Sequence, residues 1–346
     1  MSSLASLHCK KAWYIVARSK DLQRKPIAIM LHGTPIVIFR KHDGATTALL
    51  DRCPHRNVPL SSGQVRSDAI ECCYHGWQFN GDGTCIEIPC LTQQKSMESK
   101  SIDAFTTCEQ DGFIWLWAEP NSTPARKPFS FRLMQEKNYT TITEVLEADA
   151  SIHAVAENAL DVPHTTFLHR GLFRTSRREK MEIEVVVKRF ADRAEAEYIG
   201  EARPSGLIGK LLAPRGGNVT HFDRFILPSI IEVEYRIGDD AHLLVNAALT
   251  PISDYRTKLF AVVSFRVPLP GWLVALIAKP IALKIFGQDA RLLRQQSETI
   301  QRFGEEKYLS TEIDVLGPHI LGLLKQAERN ETAPDRIVER RVRMRI

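Results

Sequence analysis

Two short stretches of the chain set sulfur beside imidazole: Cys53-Pro54-His55 and Cys72-Cys73-Tyr74-His75, with sixteen residues between them. Together they offer two thiolates and two imidazoles from two loops. Tetrahedral Cys2His2 zinc uses the same donors, but the common zinc finger takes its cysteines from one half and its histidines from the other. Here each half is mixed. Two such loops facing one another can give both cysteines to one metal atom and both histidines to a second, which is what a [2Fe–2S] cluster with two histidine ligands needs. Cys72 and Cys73 leave two registers open: C-x-x-H spacing selects Cys72, whereas a C-x-H spacing mirroring the first loop selects Cys73. Tyr74 and Trp77 read either as shields of the cluster or as ordinary packing.

A second constellation runs from Glu157 through Asn158 and Asp161 to His164 and His169. Non-haem Fe(II) oxygenase sites take two histidines and one carboxylate on one face, leaving positions open for dioxygen and substrate. Five residues along a regular helix turn about 140°, so His164 and His169 cannot share a face of an unbroken helix. Pro163 is expected to disrupt it just before His164 and let the second histidine swing back. His153 lies outside the pattern and reads as packing or surface. A chain with both a cluster and a lone-iron site is expected to feed electrons to bound dioxygen.

Cys-Pro-His-Arg, Cys-x-x-His-Gly-Trp, the opening Ala12-Trp13-Tyr14-Ile15-Val16-Ala17 and the spacing Asn-x-x-Asp-x-x-His-x-x-x-x-His over Asn158–His169 resemble the Rieske non-haem iron oxygenases, the ring-hydroxylating and demethylating family. Respiratory-chain Rieske proteins carry an extra disulfide-forming cysteine in each loop; Val58 and Tyr74 stand near those places here. The resemblance implies an α+β protein with an N-terminal all-β Rieske domain, residues 1–125, and a helix-grip catalytic domain, residues 126–346. It implies a [2Fe–2S] cluster on Cys53, His55, Cys72 and His75, and a mononuclear Fe(II) on His164, His169 and a carboxylate far downstream on a helix. Local spacing does not find that carboxylate; Asp289, 120 residues beyond His169 at the start of a polar helix, is the choice, and Glu298 the alternate. Asp161, with Asn158 before it in the motif, is implied to bridge His164 of its own chain and His75 of the partner subunit. The working unit is then a ring, a homotrimer, with head-to-tail contacts. Electrons from NAD(P)H are implied to arrive through a separate reductase or ferredoxin and to activate O2 for oxidation of a C–H bond, by mono- or dioxygenation. No Gly-rich dinucleotide fingerprint is visible, so the nicotinamide is expected to bind the reductase.

Elements that would position these groups are readable more coarsely. Runs such as Pro35-Ile36-Val37-Ile38-Phe39 and Gly112-Phe113-Ile114-Trp115-Leu116-Trp117 predict strands of a compact β domain. The proline-rich stretch Glu119–Pro128 marks a boundary. Ala148 to Leu168 has helical composition, residues 180–266 alternate as an antiparallel sheet does, and Arg291–Phe303 predicts a polar helix. Residues 268–286 are strongly apolar, but Lys279-Pro280 interrupts them below the roughly 18 residues that span a bilayer. That segment is expected to be a buried core helix, or an apolar lid making peripheral membrane contact with Trp272 at headgroup level. The latter points to a bulky apolar substrate, sterol- or terpenoid-like. The alternative is demethylation or hydroxylation of a small aromatic acid held by an arginine such as Arg203 or Arg224. A hypothesis of another class is a pure electron carrier, which uses the cluster and leaves the second motif idle.

A net charge of +5 is too weak to imply nucleic acid, and the arginines of Arg340–Ile346 read as a half-exposed strand. No stretch near the start has an apolar region long enough for export. The seven cysteines are an odd number, so no disulfide framework is expected; Cys9, Cys85, Cys90 and Cys108 read as reduced thiols of a cytoplasmic protein.

Overall fold

The computed structural model describes residues 7–92, 97–169, 182–201, 218–239, 241–331 and 337–345. The chain forms two compact units, His8–Ser130 and one built on Phe131–Ile346.

In the first unit, short runs rich in β-branched and aromatic residues pair into three small antiparallel sheets. Trp13–Arg18, Thr107–Gln110 and Phe113–Trp117 make one; Ile27–Leu31, Thr34–Arg40, Thr46–Leu50 and Ala104–Phe105 the second; Gln64–Arg66, Ala69–Glu71, Gln78–Phe79 and Cys85–Glu87 the third. Val37, Phe39, Leu49, Leu60, Ile70 and Phe79 build a core into which Cys53 and Cys72 are also packed. Each fully buried side chain of this size contributes about 1.5–3 kcal/mol, so the two cysteine-bearing loops are anchored at their sulfur ends.

The second unit carries an eight-stranded antiparallel sheet: β1 (Thr140–Ala148), β2 (Glu182–Arg189), β3 (Arg193–Ile199), β4 (Val219–Ile226), β5 (Ile230–Ile237), β6 (Ala241–Ser253), β7 (Arg256–Arg266) and β8 (Val338–Arg345). Their order across the sheet is β1-β7-β6-β5-β4-β3-β2-β8. On β8 Val342 and Met344 are buried while the arginines are exposed, as the alternation in the sequence implies. Because side chains alternate between faces, the register places Ile142, Val263, Val245 and Asp223 on one face, with Phe265, Leu243, Tyr235, His221 and Tyr198 in the row beside them.

Four helices accompany the sheet among the described residues: α1 (Ile152–Ala159), α2 (His164–Leu168), α3 (Gly271–Phe303) and α4 (Gly317–Glu328). Helix α1 starts because Ser151 caps it, its side chain accepting the Ala154 N–H at 3.3 Å. Helix α3 packs against β1, α1 against β6, β7 and α4, and α4 against β3. Helices gathered on an antiparallel sheet make the α+β architecture expected for this half.

Two sequence expectations change. The apolar segment and the polar helix are one continuous 33-residue helix, α3, that runs through Pro280. Proline there removes one N–H and frees the Leu276 carbonyl from its helical bond, yet packing on the sheet keeps the helix intact. Nor is its apolar half a buried core helix: Val274 is buried, but Trp272 is 71% and Leu276 69% exposed. Gly304, with φ 72°, ends the helix in the left-handed conformation.

Candidate functional site

The two cysteine loops are built on the same backbone frame. In the first, Cys53 N–H donates to Val58 O at 2.9 Å and Asn57 N–H donates to Cys53 O at 2.9 Å. In the second, Cys72 N–H donates to Trp77 O at 2.8 Å and Gly76 N–H donates to Cys72 O at 3.0 Å. Asn57 (φ 61°) and Gly76 (φ 71°) occupy equivalent left-handed positions, which asparagine and glycine tolerate best. Superposing one frame on the other therefore pairs Cys53 with Cys72. Cys72 is buried beside Cys53, whereas Cys73 is exposed. Burial, and then the neighbouring Cys72 sulfur, push the Cys53 thiol up to about 11, so without a cationic partner it keeps its proton.

The imidazoles close the arrangement on its outer side. The His55 and His75 rings meet edge to face with centroids 4.5 Å apart, and Trp77 stacks on His55 at 4.8 Å with planes 6° apart. Burial and then the charges of His75 and Arg56 lower the His55 pKa, favouring the neutral form that binds metal. Asp51 fixes the far end of the first loop by accepting Ser61 N–H at 2.7 Å and Ser61 Oγ–H at 2.6 Å. Tyr74 is 61% exposed and does not shield the sulfurs.

The second site joins elements 120 residues apart. His164 opens α2 and His169 follows its last residue. Pro163 is itself helical (φ −55°, ψ −38°), so it starts the short helix rather than breaking it between the histidines. What brings the rings together is His169 leaving the helical conformation, at ψ 44°. The two Nε2 atoms lie 3.2 Å apart. Asp289, on α3, completes a triangle, its Oδ1 at 3.6 Å from His164 Nε2 and 3.1 Å from His169 Nε2. Donors about 2.1 Å from one ion lie about 3.0 Å apart at right angles and about 3.4 Å apart at the tetrahedral angle, so the three edges suit a common cation. Asp289 Oδ1 is moreover buried without a hydrogen-bond donor aligned to it, a vacancy in its bonding that a metal satisfies. Glu298, two and a half turns farther along α3, is exposed and takes no part.

Around the triangle, His169 Nδ1 donates to Gln288 Oε1 at 2.8 Å, which turns Nε2 toward the other two donors. Gln288 as an orienting group escapes a reading of ligand types; its adjacency to Asp289 is the only hint in the sequence. Asp161 Oδ2 faces His164 Nδ1 at 3.5 Å. Asn158 contributes through its carbonyl, which accepts the Asp161 N–H at 3.3 Å and so closes the turn after α1. Burial works against charge on His164, but the Asp161 and Asp289 carboxylates outweigh it and raise its pKa to about 9. Burial likewise works against charge on Asp289, and the two imidazoles hold it below the usual carboxylate value. His153 is buried and packs edge-on against Tyr308, away from the triangle.

A mixed-ligand cysteine–histidine pair of loops on an all-β unit, followed by a two-histidine, one-carboxylate triangle on an α+β unit, defines the class of two-station iron oxygenases. Residues 12–99 match the family described as the Rieske [2Fe–2S] domain, and residues 148–330 match the vanillate O-demethylase oxygenase C-terminal domain. The chain belongs to the Rieske non-haem iron oxygenases with a vanillate O-demethylase-type catalytic domain. It is 31% identical to the oxygenase component of dicamba O-demethylase from Stenotrophomonas maltophilia over 60% of this chain, a match that spans 61% of that relative. It is 24% identical to the vanillate O-demethylase oxygenase subunit of Pseudomonas sp. (strain HR199 / DSM 7063) over 89% of this chain and 91% of that one. The crystal structure of dicamba monooxygenase bound to 3,6-dichlorosalicylic acid superposes with a TM-score of 0.77 at 22% identity, covering 93% of this chain and 98% of the other. That likeness is one of fold.

Proposed function

We propose that the chain is the terminal oxygenase of a multi-component system and oxidises a C–H bond of an aromatic compound, by O-demethylation or hydroxylation. Cys53, His55, Cys72 and His75 would hold the [2Fe–2S] cluster, and His164, His169 and Asp289 the lone iron. When bound, these groups supply electron relay and dioxygen activation; the electrons come from NAD(P)H through a separate reductase or ferredoxin. The chain's own residues orient the donors: Gln288 fixes the His169 tautomer, and Asp161 positions His164. By the family's logic Asp161 also reaches His75 of the partner subunit, which makes a homotrimeric ring the working unit.

One observation carries this reading. An apolar cavity of about 260 Å³ lies between α3 and the sheet, lined by Ile142, Leu146, Leu243, Val245, Val263, Phe265 and Ile285 among others. Ile285 precedes Asp289 by four residues, so both lie on one face of α3 about 6 Å apart along its axis. Substrate-sized apolar space therefore adjoins the triangle. Its volume falls below the roughly 300–1,000 Å³ usual for small-molecule sites, which favours an aromatic frame of one or two rings over the sterol- or terpenoid-like substrate suggested by the apolar segment. The names of the relatives, which act on dicamba and vanillate, support the same choice.

Of the two arginines considered as carboxylate clamps, Arg224 does not face the cavity. Arg203 lies outside the described residues. Arg224 sits on the opposite face of the sheet from the cavity, where Glu195 accepts its Nε–H at 2.6 Å and Glu234 its Nη1–H at 2.7 Å.

A His164→Ala variant supplied with Fe(II), a reductase and a panel of methoxylated aromatic compounds tests the proposal. Iron should fall from about three to about two atoms per chain, the reduced-cluster EPR signal should persist, and formaldehyde release should cease. Full turnover in the variant would overturn the catalytic assignment and leave the electron-carrier reading.

A further inference from the structure

The cavity wall is apolar except at one place. Glu144 of β1 and Lys279 of α3 both line it, and Lys279 Nζ is in contact with Glu144 Oε1. Lys279 is the one cation among the lining residues; its side chain is 48% exposed and that of Glu144 31%. A half-exposed pair of this kind stabilises a fold by only about 0–1 kcal/mol, so tethering α3 is a weak reason to interrupt an otherwise apolar wall with two charges. The pair can reorganise at little cost, because Glu144 can turn to water when another anion arrives.

We infer that Lys279 is the anion-recognition residue of the substrate cavity and that an acidic group on the substrate displaces Glu144 from it. The inference rests on the aromatic oxygenase reading and refines it by fixing where the acid must lie. Lys279 and Asp289 are ten residues apart on α3, about 15 Å along the helix axis. Helical side chains lean toward the N-terminus, which carries the ammonium group farther from the triangle. The lining itself runs from Val274 to Ile285, about 16 Å at the same rise. A single ring bearing a carboxylate and a methoxy group falls well short of this span. The substrate class is thus an elongated amphipathic acid: an apolar body of two rings or equivalent length, with a carboxylate at one end and the carbon to be oxidised at the other.

Isothermal titration of the purified holoprotein with 4′-methoxybiphenyl-4-carboxylate, its methyl ester and 4-methoxybenzoate tests this without turnover. The biphenyl acid should bind tighter than its ester by up to about fivefold, the upper worth of one half-exposed ion pair less what giving up Glu144 costs, and tighter than the one-ring acid. Lys279→Met should erase the preference for acid over ester, and Glu144→Gln should strengthen binding of the acid by removing its competitor. Equal affinity of acid and ester in the wild-type protein, an unchanged preference in Lys279→Met, or an unchanged acid affinity in Glu144→Gln would overturn the inference. Loss of the acid preference with formaldehyde still released from other aromatic ethers would sink this inference alone. An intact preference with no formaldehyde from any aromatic ether would instead sink the oxygenation reading.

Discussion

The cysteine loops and the histidine–carboxylate triangle solve one problem, holding donors ready for a metal, by opposite means. In the loops the frame is backbone: two hydrogen bonds per loop and a left-handed residue at the same place in each fix the sulfurs before any ligand is considered. In the triangle the frame is side chain, with Gln288, Asp161 and the donors' own opposite charges pulling together residues from α2 and α3. The difference predicts how each tolerates change. A backbone frame is indifferent to most side chains but intolerant at its ligands and at its special dihedral; a side-chain frame weakens in steps as each support is removed.

The largest effect should come from the adjacent cysteines. Cys72→Ser is expected to abolish the visible absorbance of the cluster, whereas Cys73→Ser, at an exposed position outside the matched frame, should leave spectrum and iron content unchanged. Loss of the cluster in the Cys73 variant alone would show that the loops are not equivalent and that the C-x-H register is the true one.

The same contrast explains what the sequence disclosed. The candidate donors of the loops stand two or three positions apart, so residue types and spacing singled them out, with the register between Cys72 and Cys73 left open and Cys72 favoured by the resemblance. That register is where coordinates add most, because the main-chain hydrogen bonds that favour Cys72 leave no mark on residue type. The triangle was legible in part. His164 and His169 stood out, but their convergence comes from one dihedral at His169, not from Pro163. Asp289 required a family pattern, since no local rule links residues 120 positions apart. Gln288 was invisible as an orienting group for the same reason. Helix α3 was divided in two because composition changes sharply near residue 287 and Pro280 signals a break; packing of the helix against β1 overrides both. Strands were clearer, since period-two alternation survives wherever one face of a sheet is covered.

A middle-sized effect should appear where a side-chain frame loses one support. Gln288→Leu removes the acceptor of the His169 Nδ1 proton while keeping bulk on the same face of α3. Supports of this kind are worth about 10–100-fold in metal affinity or activity. Iron retention measured against a competing chelator should fall by that factor while the cluster EPR signal is unaffected. Gln288→Glu, which restores an acceptor, should recover most of it. Undiminished affinity in the leucine variant would mean that the triangle, like the loops, is held by its backbone.

The smallest effect probes the backbone frame away from its ligands. Gly76 has φ 71°, and a Cβ placed on it would stand 3.1 Å from Pro89 Cγ. Gly76→Ala should therefore cost about 1–2 kcal/mol, the left-handed penalty for an ordinary residue, seen as a fall in Tm of about 4 °C for each kcal/mol in a unit of this size. Asn57 already occupies the matching position of the first loop and steadies it by accepting the Arg52 Nε–H at 2.7 Å. If the frames are equivalent, Gly76→Asn should lose less than Gly76→Ala despite its greater bulk, because asparagine's short polar side chain tolerates this backbone conformation. The reverse order, with asparagine the worse substituent, would mean that contact with Pro89 and not the shared dihedral governs the second loop, and the two loops would then be alike in hydrogen bonding but not in what holds them.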